Sequence, residues 1–202
     1  IDSFTKERCL KKIPDTFGGY DIKVFDKPEL LDVEIQKRAK ESDSMLSRVI
    51  ATYDWEYSSN HRPEDRLMRY WEVLIGKWHR ELESELTRKE KRAIKGLAWA
   101  EQPQTINEVG STFTIQGFDL NYAGVILGPS VKYRNGKVIF DPLESCNEKA
   151  IRNRTLSDGT KQKFGEILIQ HEVRVLMTRG VNGMYIYACD PELQKALLEA
   201  AK

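Results

Sequence analysis

The chain has 202 residues, 40% hydrophobic and 9% aromatic, and its 32 Lys and Arg nearly cancel 31 Asp and Glu to leave a net charge of +1. That is ordinary globular composition, long enough for one large or two small domains with a real core. Cys9, Cys146 and Cys189 form no C-x-x-C pair and His61, His79 and His171 are dispersed, which argues against a zinc site or disulfide framework and fits a reducing cytosol. No run of 18 apolar residues and no signal peptide is present, so neither a membrane span nor secretion is expected. A neutral balance leaves a nucleic-acid partner open, because a local basic groove can exist on a neutral protein.

Residues 2–12 are charged, Pro14 ends that pattern, and Gly18-Gly19 marks a turn without the Lys-Ser/Thr of a phosphate-binding loop. The first residue is Ile, and the charged start reads as a piece cut from a longer protein. Residues 22–25 (IKVF) read as a strand. Asp26 and Pro28 open a helix in which Leu30, Leu31, Val33 and Ile35 form a loose apolar stripe. Residues 47–57 (SRVIATYDWEY) read as a second strand, completing the unit from which parallel sheets are built.

Residues 63–96 read as a long helix, with Leu67, Trp71, Leu74, Ile75, Trp78 and Leu82 at helical spacing. Trp71 and Trp78 favour a core or interdomain face over base stacking. The basic run 87–95 reads as a solvated surface, with phosphate contact the lesser alternative. Strands are expected at 113–115 and 125–127, and Asn135-Gly136 between alternating residues signals a hairpin over 131–140. Residues 141–162 are a polar surface loop. A helix marked by Phe164, Ile167, Leu168, His171 and Val175, a strand at 184–189 and a helix from Pro191 complete the chain.

Two stretches carry candidate chemistry. In residues 114–119 (TIQGFD), Gly117 permits a tight or left-handed backbone, Gln116 offers donor and acceptor, and Asp119 offers an acceptor for a hydroxyl. Placed after a strand at Phe113, this loop is expected at the carboxyl edge of an open sheet, where ligands bind; a plain turn is the bland alternative. Thr178-Arg179-Gly180 joins an amphipathic helix to a strand. A guanidinium at an element end suits phosphate, although a surface salt bridge is the bland reading. Arg174 is less well placed.

Residues 111–128 (STFTIQGFDLNYAGVILG) and 172–188 (EVRVLMTRGVNGMYIYA) resemble the last two signature motifs of superfamily 1 helicases. With AWAEQPQ and the hairpin to FDP, they resemble the C-terminal half of the Schlafen group 3-like DNA/RNA helicase domain, over about residues 20–200. The resemblance implies an α/β, RecA-like (P-loop NTPase-type) three-layer domain over 1–202. Its mostly parallel sheet would be flanked by helices, with a connector at 1–19 and a helical insertion at 63–96. It implies the second motor lobe of an ATP-dependent helicase or translocase. Arg179 would be the arginine finger beside Thr178. Thr114, Gln116, Gly117 and Asp119 would couple nucleotide to nucleic acid, and Tyr53, Asp54 and Trp55 would present a loop to the cleft. ATP and Mg²⁺ would be held mainly by an N-terminal lobe of the same protein. DNA or RNA would be the partner, with a cytoplasmic location and no membrane.

Two departures stand out. Phe113 precedes TIQG where the motif has His and Lys or Ser, and Gly180-Val181-Asn182-Gly183 follows where it has Ala and basic residues. They weigh against duplex unwinding more than against nucleotide binding. Without G-x-x-x-x-G-K-[ST] the chain is not expected to hydrolyse ATP alone. The rival reading is a non-catalytic nucleic-acid- or protein-binding module; a lobe that powers or gates a nuclease or defence protein is a third.

Overall fold

A computed structural model describes residues 1–57 and 72–202. The helical turn α1 (Asp2–Thr5) and short strand β1 (Thr16–Phe17) lead into β2 (Tyr20–Val24), α2 (Pro28–Lys40) and β3 (Ser47–Ala51). Next come β4 (Glu72–Ile75), β5 (Trp78–Glu81), α3 (Arg88–Ala93), two 3₁₀ turns (Trp99–Glu101 and Pro103–Asn107) and β6 (Val109–Gly110). The chain continues through β7 (Leu120–Leu127), β8 (Val131–Arg134), β9 (Lys137–Phe140), α4 (Glu148–Ile151), β10 (Asn153–Thr155) and β11 (Lys161–Lys163). It closes with α5 (Gly165–Met177), β12 (Gly180–Ala188) and α6 (Pro191–Ala200).

Among the described residues, six strands form one sheet in the order β1-β2-β12-β7-β3-β6, parallel except at β1. Its central strands are apolar on both faces, as a sheet covered on both sides requires. Val49, Ile126 and Tyr185 face α2, while Ile50, Val125 and Ile186 face α5 and α6. The helix α2 begins with Pro28 and Glu29 and ends with Lys37, Arg38 and Lys40, matching the helix dipole at both ends. Of its expected stripe only Leu31 and Ile35 are buried; Leu30 and Val33 are exposed. Gly124 lets that pair sit on the sheet, since a Cβ there would lie 2.7 Å from each. No helix among the described residues is long and apolar enough to cross a membrane.

Three expectations are corrected. Residues 72–81 form an antiparallel hairpin, with Ile75 opposite Trp78, instead of a helix. Gly76 turns the chain at φ 60°, and Val73 and Trp78 are buried while Leu74 is exposed. The Trp78 indole donates to buried Asp32 on α2 (3.1 Å), and Arg80 pairs with the same carboxylate at 2.5 Å, docking the hairpin. Among the described residues of the expected 63–96 helix, the helical content is the short α3, opened by a Thr87–Glu90 capping box. Leu67, Trp71 and the rest of 58–71 lie outside the described residues. The strand expected at 113–115 is a turn, and β6 stands just before it. The 131–140 hairpin forms as read, with positive φ at Asn135 and Gly136. Residues 141–162 contain a 3₁₀ turn, α4 and an exposed strand that pairs with β11.

Gly180 opens β12 at a register shift against β7, and a Cβ there would lie 2.0 Å from the Gly183 carbonyl oxygen. Backbone cannot rotate aside as a side chain can. Gly180→Ala is expected to destabilise the fold by about 3 kcal/mol, at the upper end for overpacking. Urea unfolding would register this as a lower midpoint at constant slope; an unchanged midpoint would contradict the close approach.

Candidate functional site

The TIQGFD loop and the Thr178-Arg179 segment meet at the amino ends of β7 and β12. The Leu120 amide donates to the Arg179 carbonyl (2.8 Å), so the residues preceding each strand are held side by side. Upstream, Thr114 Oγ1 accepts from the Ser111 amide (2.8 Å), and the Ile115 amide donates to the Ser111 carbonyl (3.1 Å). Fully buried Ile115 plugs the loop into the core, while Thr114, Gln116, Gly117 and Asp119 stay exposed. Gly117 reverses the chain at φ 75° with nothing near its Cβ position, the role expected of it.

Arg179 lies folded over the end of α5. Its Nε donates to the Val175 carbonyl (3.1 Å) and Nη1 to the Phe118 carbonyl (3.5 Å), while the same Nη1 is 3.5 Å from Asp119 Oδ1. Thr178 Oγ1 donates to the Arg174 and Val175 carbonyls (2.9 and 3.0 Å), closing the last helical turn. Arg174 pairs with Asp2, away from this cluster. Asp119, Thr178 and Arg179 are thus brought together, with Gln116 and Gly117 on the adjoining turn. The expectation that the loop would sit at the carboxyl edge is corrected. It leaves β6 at that edge, then runs back along the sheet to start β7 at the opposite one.

Tyr53 and Trp55 lie elsewhere, beyond the carboxyl end of β3. The Tyr53 ring meets Phe113 edge to face at 5.3 Å, beside Thr114 on the same loop. Half-buried Trp55 packs against the core on the α2 side, so the geometry does not bring it to Tyr53's contacts. Between them, buried Asp54 accepts from Thr52 Oγ1 (2.8 Å) and the Ser130 amide (2.9 Å). Thr52 Oγ1 in turn accepts from the Gly128 amide (2.9 Å), where a Cβ would lie 2.4 Å from Asp54 Oδ2. Burial pushes the Asp54 carboxyl above its ordinary range, against the pull of those hydrogen bonds. Among the described residues no group of three His, Cys, Asp or Glu side chains could hold a metal ion.

Sequence reasoning missed Glu172, whose Oε1 accepts from the Tyr53 amide (2.7 Å) and ties α5 to the loop after β3. Its signal was an acid in an otherwise apolar helix face, between Ile169 and Leu176. Burial pushes it up to about 7 from 4.5; the Tyr53 amide opposes the shift and the Asp54 charge adds to it. A carboxyl raised in the folded state contributes stability that is whole below pH 4.5 and lost as pH rises through about 7. From pH 4.5 to pH 8 this loss amounts to about 3 kcal/mol. Glu172→Gln keeps an acceptor for Tyr53 and removes the titration. Urea unfolding at several pH values should therefore show the wild type losing stability relative to the variant; parallel profiles would exclude Glu172 as the titrating group.

The sequence matches the family model for the Schlafen group 3, DNA/RNA helicase domain over residues 1–190. It is 33% identical over 195 residues to the Saccharomyces cerevisiae (strain ATCC 204508 / S288c) protein described as "Uncharacterized protein YPL245W". That match covers 93% of this chain and 38% of the relative, so the chain spans about two fifths of the relative's length. No solved structure matches. The family match over nearly the whole chain leads to one conclusion: the chain belongs to the Schlafen group 3 DNA/RNA helicase domain family.

Proposed function

We propose that this chain is the second, RecA-like motor lobe of an ATP-dependent nucleic-acid helicase or translocase of the superfamily 1 type. The observation that supports this reading is the contact of Arg179 with the Phe118 carbonyl and the Asp119 carboxylate across the start of β7 and β12. The guanidinium is held by two neutral carbonyls and one exposed carboxylate at 3.5 Å, a weak surface pairing. A phosphate offers the same fork a stronger, bidentate partner.

In this reading ATP lies between this lobe and another lobe of the parent protein, which carries the phosphate-binding loop and Mg²⁺. The metal neutralises charge on the phosphates when bound. Closure brings Arg179 to the γ-phosphate and releases Asp119. Residues 116–119 are then free to shift, and Gln116 and Thr114 carry that shift toward a bound strand. The reading is tested by ATP turnover and ATP binding in the intact parent protein carrying Arg179→Ala.

A further inference from the structure

We propose that the cavity beside the carboxyl end of β6 is a single-stranded nucleic-acid site, in which bases stack on an aromatic floor and α3 contacts the phosphates. This deepens the motor reading and rests on it. The cavity holds about 580 Å³, enough for a nucleobase, and Tyr53, Trp99 and Phe113 are among its walls, with Lys91 and Gln104 at polar positions.

The aromatic floor is built in advance. Trp99 Nε1 donates to Glu108 (2.9 Å), whose other oxygen accepts from the Ser84 amide (3.0 Å). The six-membered ring of Trp99 lies so close over Gly110 that a Cβ there would be 2.6 Å away. Glycine in β6 therefore lets the indole lie down on the strand. Phe113 is 56% exposed, and Tyr53 stands edge-on to it. A large exposed aromatic ring beside two others offers π-faces to any base.

The rim supplies the charge. Helix α3 buries no residue, and Arg88, Lys89, Lys91, Arg92 and, just past its end, Lys95 form no ion pair with a described residue. The sole acid of the helix, Glu90, is committed to the Thr87 amide and hydroxyl. A helix that contributes nothing to the core and presents unpaired cations beside an aromatic cleft has the two parts of a single-strand track. Glu83 and Glu108 in the cavity wall keep phosphate out of the cleft itself, so the bases enter and the backbone follows α3. Phe113 also begins the loop that ends at Asp119, which places a seated base on the element touching Arg179.

The test uses the intact parent protein without nucleotide, titrated against 5′-labelled dT20 and rU20 by fluorescence anisotropy over a range of salt. Phe113→Ala, at an exposed position, is expected to weaken binding about 10-fold, the scale of one lost stacking contact. Lys91→Ala with Arg92→Ala is expected to weaken it and to reduce the salt slope by about one to one and a half. Photocrosslinking of 5-iodouracil oligonucleotides should map to Tyr53, Trp99 or Phe113. A preference for one oligonucleotide identifies the strand as DNA or RNA, and either supports the site. Wild-type affinity in both variants, crosslinks that map only elsewhere, or a cleft that binds apolar peptides and neither oligonucleotide would overturn it. Because the Arg179 experiment reads turnover and this one reads binding, the motor reading and the cleft fail separately.

Discussion

Arg179→Ala in the intact parent protein is expected to lower ATP turnover by roughly 10³- to 10⁵-fold, the scale of a removed arginine finger. In the proposed arrangement, where another lobe would hold the phosphate-binding loop and the metal, ATP affinity should change only a few-fold. Arg179→Lys should rescue little of the loss. Lysine keeps the charge but has no planar fork, and it cannot hold the Val175 and Phe118 carbonyls while facing a phosphate. Asp119→Asn, which removes the weak competitor at 3.5 Å, should leave turnover within a few-fold of wild type. Single-turnover kinetics with nucleotide in excess would separate chemistry from binding. Turnover unchanged in Arg179→Ala would remove the finger assignment and favour a binding module of the same fold.

Arg48→Met should cost on the order of 3–5 kcal/mol of folding stability. Arg48, the second residue of β3, is 3% exposed, and all five hydrogen bonds of its guanidinium go to neutral acceptors. Thr105 Oγ1 and the carbonyls of Met45, Ser47, Ala100 and Gln102 take them, at 2.7 to 3.3 Å. Burial pulls the guanidinium down to about 10, with Glu108 opposing, so it stays charged at neutral pH. Methionine matches its bulk and leaves those acceptors facing an apolar side chain. Arg48→Lys, with fewer donors and no fork, should fall between. Because this residue bolts the 3₁₀ turns of 99–107 to the sheet, Trp99 fluorescence should shift in Arg48→Met before global unfolding in urea. Midpoints equal to wild type would show that water replaces the guanidinium without cost.

Much of the sheet was legible because its signals are local. The apolar runs read within 47–57, at 125–127 and at 184–189, Pro28 at a helix start and Asn135-Gly136 at a hairpin each fix their own conformation, although β7 begins five residues earlier and β12 four residues earlier than read. Residues 72–82 failed because Val73, Leu74, Ile75, Trp78 and Leu82 suit either period. The choice was made by the Gly76 turn and by the reach of Trp78 and Arg80 to Asp32, forty residues or more away in sequence. The two loop segments could be picked out by residue type, but the sheet edge at which they stand could not. That depended on the strand being Val109–Gly110, two residues too short to show a pattern. Arg48 and Glu172 share one overlooked signature, a lone charge within an apolar run that faces inward.

The strand β2 has a further consequence for how the molecule comes into being. Its main sheet neighbour is β12, with Asp21 beside Gly183 and Val24 beside Ile186, and among the described residues only the two-residue β1 stands on its other side. The strand β2 therefore stays without this partner until the chain has been synthesised as far as residues 183–186. Contacts so distant in sequence close slowly, and the nascent chain meanwhile carries an unpaired apolar edge, the kind of surface that chaperones shield. Folding of this sheet is thus timed by β12, and a ribosome stalled before residue 183 would hold β2 without that neighbour.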